Sequence, residues 1–454
     1  MVILNRPSMP LPETPYLFKK PKMKYFSLNR KSPIIDFKEA TIKGQAPDKG
    51  LYFPETIPQI DVALINNIEK YTHDEIAFEV IKPFVGDSIP DGKLFEIVKE
   101  TVNFPIPLVP VTENTFSLEL FHGNTLAFKD VGARFMSRCL GYFVKGNDKK
   151  LTVLVATSGD TGAAVADGFY DVDGVDVVIL YPLGKVSLVQ EKQLTTLGKN
   201  IYTLEVNGTF DDCQKMVKQA FADDELNKKL FLTSANSINV ARWLPQQFFY
   251  FFAYKQWLDK YQPPVISVPS GNFGNICAGL LAKKSGLPLD HLIAACNAND
   301  VVPKYMNDAV YQSQPAVTTI SNAMDVGDPS NFVRILELFD NHLPDLKNVL
   351  SACSINDDQT KEAIQKLYER YNYLSDPHGA VGYVALKQYL DRHPGKQGIF
   401  LETAHPVKFY DVVEPLLKIK LSVPAGVAGI MDKAKQATTI GAAYGELKTY
   451  LLGL

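Results

Sequence analysis

The sequence predicts an α/β protein with two doubly wound parallel-sheet lobes and a smaller N-terminal domain. Three observations carry this. From Leu151 onward, short apolar runs alternate with amphipathic runs, the pattern of buried strands joined by crossover helices. The same rhythm restarts near Pro263, after a long aromatic segment. Several apolar runs end in glycine- and hydroxyl-rich loops, the place where open parallel sheets bind ligands.

The elements follow in chain order. Helical pattern runs from Asp61 to about Val85 and from Gly92 to Val102, after the Gly/Pro-rich loop GLYFPETIP. LTVLVATSGDTG reads as a buried strand breaking into a glycine loop, with AAVADGFYD the helix after it. VDVVILYP is the next strand, and SLVQEKQLTTLG a helix ended by Gly198. NIYTLEVNG is a strand, FDDCQKMVKQAFAD a helix with Asp211 and Asp212 in its first turn, and LFLTSANS a strand. A long aromatic helix is expected from about Asn239 to Tyr261, apolar all round and therefore buried. PPVISVPSGNFGN, ICAGLLAKKSG and HLIAACNAND give strand, helix and strand. Helices around Ile364 and Val381 lead to a last strand in GIFLETAHPVKF. The expected divisions are a flexible extension over 1–22, an N-terminal domain over 23–105, a smaller lobe over 106–236 and a larger lobe over 237–454.

Bulk properties remove several function classes. Of the residues, 46% are hydrophobic and 21% charged, ordinary values for a soluble globular chain. The formal net charge of −3 offers no field for nucleic acid or a membrane surface, so any anion site must be local. No run of 18 apolar residues marks a membrane span. The five cysteines are far apart, which fits free thiols in a reducing, cytoplasmic compartment. The seven histidines form no metal-ligand cluster. The first 22 residues hold five prolines and no secretory core, and Met23 opens MKYFSLN like a natural start.

Lys129 stands out in LFHGNTLAFKDVGARF. It sits near the first turn of a helix whose apolar face begins at once with Val131 and Phe135. An amine framed this way can lose its charge and form a Schiff base. In SGNFGN, Gly271 and Gly274 precede a helix, so backbone N–H groups can converge on a phosphate. The loop lacks the lysine of a nucleotide P-loop and the spacing of a dinucleotide fingerprint, so a small phosphate fits it better. TSGDTG opens a second helix with the hydroxyls of Thr157, Ser158 and Thr161, suited to a carboxylate. SANSINVAR supplies Ser237 and Arg242 for a second oxyanion. A cofactor bearing an aldehyde and a phosphate matches the lysine and the glycine cradle, and that cofactor is pyridoxal phosphate.

Together LFHGNTLAFKD, ATSGDTGAAVA, SANSINVAR, SVPSGNFGN, SNAMDVGDPSN and TAHPVKF resemble the threonine synthase family, in order, from about Lys24 to about Tyr410. KGQAPDKGLYFPETIP resembles that family's N-terminal domain, which related dehydratases lack. The resemblance implies the tryptophan-synthase-β fold type and conversion of O-phospho-L-homoserine and water to L-threonine and phosphate. By it, Lys129 carries the cofactor, and Gly271, Asn272, Phe273, Gly274 and Asn275 hold its phosphate. Thr403 places a hydroxyl near the pyridine nitrogen, and Asn124 is a candidate contact to the ring or its 3-hydroxyl. Ser158, Gly159, Asp160, Thr161 and Gly162 hold the substrate carboxylate. Ser237, Asn239 and Arg242 bind the substrate phosphate, with Lys185 of YPLGKVS a further candidate. Many fold relatives carry Asn where this chain has Asp160. An anion there repels a carboxylate unless it points away or accepts hydrogen bonds. The implied partner is the small-molecule substrate, with neither nucleic acid nor membrane, in a monomer or homodimer.

Overall fold

The computed structural model describes residues 22–147 and 149–454. The expected 1–22 extension lies outside these residues except for Lys22. Two parallel sheets with covering helices form the body. One has six strands in the order Leu350–Ser354, Leu292–Cys296, Val265–Pro269, Gly398–Glu402, Thr115–Glu119 and Leu108–Pro110. Only its last pair runs antiparallel. The other has five strands in the order Thr438–Gly441, Ile201–Asn207, Val175–Pro182, Leu151–Ala156 and Phe231–Ser234, all parallel. Strands Leu151–Ala156, Val265–Pro269, Leu292–Cys296 and Gly398–Glu402 are buried along their whole length, so they read as largely apolar runs. A small N-terminal sheet pairs Tyr25–Ser27 with Tyr52–Pro54 and packs beside helices His73–Val85 and Asp91–Thr101. Tyr25 locks that domain by donating its hydroxyl to the Phe84 carbonyl at 2.6 Å.

The sheets do not respect the expected chain divisions. Strands 108–110 and 115–119 fall before residue 237 yet belong to the six-stranded sheet. Strand Thr438–Gly441 comes after it yet closes the edge of the five-stranded sheet, in register with Leu204–Asn207. The chain therefore crosses between lobes at both ends, and strand pairing over hundreds of residues decides membership.

Two helices break where continuous ones are expected. The 61–85 stretch is split into Val62–Asn66 and His73–Val85, because Thr72 and Glu75 form a reciprocal cap that starts the second helix afresh. The aromatic 239–261 stretch consists of a short helix Val240–Trp243, a 3₁₀ turn Leu244–Gln247 and a helix Phe248–Gln256. Pro245 has no N–H to give, and the tighter turn there re-aims the chain. Phe248 to Tyr254 are all buried, as an all-round apolar helix requires.

Candidate active site

The site forms where the carboxyl ends of both sheets face each other. Lys129 is the first residue of helix Lys129–Val144. The turn before it is stitched by Asp130, whose carboxylate accepts from the Thr125 N–H at 2.9 Å and from the Thr125 hydroxyl. Phe128 N–H donates to the Thr403 carbonyl at 2.9 Å, and His405 N–H to the Leu126 carbonyl at 3.0 Å. Lys129 is thus pinned beside the end of strand Gly398–Glu402. It keeps some exposed surface, yet burial pushes its amine below the ordinary lysine range. Asp160 opposes this shift and the nearby Lys408 and Arg242 charges reinforce it. A lysine so placed can be neutral and nucleophilic.

The TSGDTG loop follows strand Leu151–Ala156. The Thr157 hydroxyl accepts from the Gly159 and Gly162 N–H groups at 3.0 and 2.8 Å, curling the loop into helix Asp160–Phe169. Gly159 has φ +132°, and a Cβ there would fall 2.5 Å from the Gln190 side chain. Asp160 is buried, with Lys408 Nζ 2.8 Å from Oδ1 and Gln190 Nε2 donating to the same oxygen at 2.9 Å. Burial pushes this carboxyl up, but the Lys408 and Lys129 charges and the hydrogen bonds from Lys408 and Gln190 together hold it well below the usual range. Asp160 is therefore a compensated anion, its charge already met before any ligand arrives.

SGNFGN leads from strand Val265–Pro269 into helix Gly274–Lys284. A Cβ on Gly271 would lie 2.7 Å from the Met324 Cα, so the backbone of the 321–331 loop excludes every other residue there. Phe273 adopts φ +62° and buries its ring against Phe332, 5.8 Å between centroids. That turn brings the following N–H groups round to the helix start. Asn275 holds the strand end, donating to the Pro269 carbonyl at 2.8 Å. Asn272 takes the Asn331 N–H on its carbonyl and the Ser330 hydroxyl on its side chain. These two amides shape the cradle. Thr403 is buried, next to a Glu402 that accepts from Ser375 and the Asp376 N–H. Burial, then the Asp376 charge, raises the Glu402 carboxyl well above its usual range.

Arg242 is 4% exposed, and its Nε and Nη1 have no hydrogen-bond partner among the described residues. Burial lowers its pKa to about 10, opposed by the Asp130 charge. Buried guanidinium N–H groups without acceptors are costly, and these remain available to an anion. Gly132 permits its approach, since a Cβ there would stand 2.7 Å from the Arg242 carbonyl. The Ser237 hydroxyl accepts from Asn331 Nδ2 at 2.9 Å, leaving its own hydrogen to donate.

Comparison with known proteins decides the family. Residues 104–401 match a family described as pyridoxal-phosphate dependent enzyme. Residues 24–102 match "threonine synthase N terminus" and 379–451 "threonine synthase, C-terminal". Threonine synthase of Serratia marcescens is 43% identical over 433 residues, 95% of this chain and 100% of its own. The Saccharomyces cerevisiae enzyme is 38% identical over 456 residues, 87% of this chain and 89% of its own. The chain belongs to the threonine synthase family. The crystal structure of the Escherichia coli threonine synthase superposes with a TM-score of 0.88 at 42% identity, covering 95% of this chain and 99% of that one. A pyridoxal-phosphate-bound threonine synthase from Brucella melitensis gives 0.88 at 33%, covering 94% and 98%.

Two residues expected from the threonine synthase resemblance, Asn239 and Asn124, are engaged within the chain. Asn239 is fully buried as a helix cap, accepting from Ala241 N–H while its amide donates to the carbonyls of Thr41 and Ser234. Nothing remains of it for a substrate phosphate. Asn124 is exposed and donates to both Asp167 carboxylate oxygens, at 3.0 and 3.3 Å, so a ring contact would have to break that pair. Lys185 lies exposed on the turn after strand Val175–Pro182. Sequence reasoning missed Lys408, Asp130 and Arg334. Lys408 lay within the quoted TAHPVKF, where a buried lysine among apolar neighbours was a signal of the kind used for Lys129.

Proposed function

We propose that this chain makes L-threonine and phosphate from O-phospho-L-homoserine and water, with pyridoxal phosphate as cofactor. The observation that carries the reading is Arg242: two buried, unpartnered N–H groups beside a lysine that can be neutral. The residues present fit the cofactor. Gly271 is a position that a Cβ would fill with backbone clash, Phe273 turns left-handed just before helix Gly274–Lys284, and Lys129 supplies the amine. When bound, pyridoxal phosphate supplies a ring that takes up the charge left on carbon after a proton is lost.

The chain's own residues do the rest. Gly271 to Asn275 would hold the cofactor phosphate, Lys129 its aldehyde, and Thr403 would place a hydroxyl by the ring nitrogen. The N–H groups and hydroxyls of Ser158 to Gly162 take the substrate carboxylate, with Asp160 neutralised by Lys408. Arg242 and the Ser237 hydroxyl take the substrate phosphate. Lys129, as a neutral base, would lift the Cα proton and later return one. A Cβ proton would leave as phosphate departs from Cγ, Cγ would take up a proton to become the methyl group, and water would add at Cβ. An amino acid lacking the phosphate leaves Arg242 buried and unpaired, which sets the substrate choice. A cytoplasmic location fits the five free thiols. None of the described helices is long and apolar enough to cross a membrane. A monomer or homodimer remains part of the proposal.

Lys129→Ala tests the reading. With pyridoxal phosphate and O-phospho-L-homoserine supplied, the variant should form no threonine; near-normal output would overturn the assignment.

A further inference from the structure

We propose that Lys408 is a positioning residue: its buried ammonium cancels the charge of Asp160 and clamps the Thr157–Gly162 loop, so that this loop can accept a substrate carboxylate. This rests on the reading that the loop takes that carboxylate. Lys408 has no exposed side-chain surface and Asp160 only 5%. Its Nζ lies 2.8 Å from Asp160 Oδ1 and donates to the Thr125 carbonyl at 2.8 Å. Gln193 donates to that same carbonyl at 3.0 Å. Lys408 sits in the 3₁₀ turn Pro406–Phe409 that follows strand Gly398–Glu402 of the six-stranded sheet, whereas Asp160 opens the helix after Leu151–Ala156 in the five-stranded sheet. The pair therefore spans the two lobes, at the turn that delivers Lys129.

A buried ion pair gains little net stability, because desolvation offsets attraction. Its placement here has another effect. An acid at a helix N-terminus suits the helix dipole but opposes an incoming carboxylate. With Lys408 against it, the loop presents its N–H groups and hydroxyls without a net negative charge. The other charged groups around Lys129 are Arg242 and Asp376, and His405 faces Lys408.

The test uses the full chain loaded with pyridoxal phosphate, comparing wild type, Lys408→Met and Asp160→Asn/Lys408→Met on O-phospho-L-homoserine. Lys408→Met should raise KM by about 30-fold or more, with kcat changed far less. The double variant should recover most of that loss, because no uncompensated acid remains. An unchanged KM in Lys408→Met, or a double variant as impaired as the single one, overturns the proposal. If Lys408→Met does not fold, Asp160→Asn carries the test. It leaves the Lys408 ammonium uncancelled beside Lys129, so the pKa of the cofactor-bound Lys129, read by absorbance, should fall by about one unit. No change there overturns the proposal too. A wild type that makes no threonine would instead break the functional reading, while the absorbance titration would still report on the pair.

Discussion

Arg242 and Arg334 are both buried arginines whose pKa is lowered to about 10 by desolvation, yet their surroundings differ completely. Arg334 makes five hydrogen bonds: two to the Tyr52 carbonyl, and one each to the carbonyls of Ser237 and Ile238 and the side chain of Asn331. It also stacks over Trp243, 4.4 Å from the ring centroid. Its fork is saturated, and it binds the N-terminal domain to the loop that carries Ser237. Arg242 has the same charge and depth with two nitrogens unmet. A satisfied buried cation is structure, and an unsatisfied one is a site waiting for an anion.

Substitution should separate the two. Arg334→Ala takes the donors away from the carbonyls of Tyr52, Ser237 and Ile238 and should cost about 3–5 kcal/mol of stability, seen as a large drop in the thermal unfolding midpoint. Full stability in that variant would erase the contrast. Arg242→Ala should do the opposite. It should raise KM for O-phospho-L-homoserine by about 100-fold or more while leaving the unfolding midpoint unchanged or higher, because an unpaired buried charge is removed.

Asp130 gives a pH signature on the Arg242 side. Burial raises its carboxyl from 3.8 to about 6, despite the Thr125 hydrogen bonds. The folded state therefore holds this proton more tightly than the unfolded chain. That stabilisation is present below pH 3.8 and lost as pH rises through about 6. Against Asp130→Asn, the wild type should lose on the order of 1–3 kcal/mol across this window, measured by denaturant unfolding at several pH values. A flat difference would show that Asp130 is an ordinary surface-like acid. Ser237→Ala should be mildest, raising KM only a few-fold for the loss of one neutral hydrogen bond of about 1 kcal/mol. An effect as large as that of Arg242→Ala would move the weight of phosphate binding onto the hydroxyl.

The strand–loop–helix rhythm made much of the fold legible, since buried parallel strands are apolar throughout and their glycine loops are local signals. Lys129, the SGNFGN cradle and Arg242 were legible for the same reason, as each lies in a distinctive short string. What escaped was non-local. No pattern in Leu108–Glu119 or Thr438–Gly441 says which sheet will accept the strand. Asn239 looked like a ligand because its string is polar, and only the three-dimensional surroundings show its amide spent on the Thr41 carbonyl, 198 residues away in sequence. Arg334 was an ordinary cation until the fold buried it. Pro245 was the missed local sign: a proline inside the aromatic stretch argued for the break that the structure shows.

The most direct measurement is to supply the purified protein with pyridoxal phosphate and O-phospho-L-homoserine and assay free phosphate and threonine together. Equal amounts of the two are predicted. Phosphate accompanied by 2-oxobutanoate in place of threonine, or a cofactor-loaded protein that releases neither product, would contradict the account.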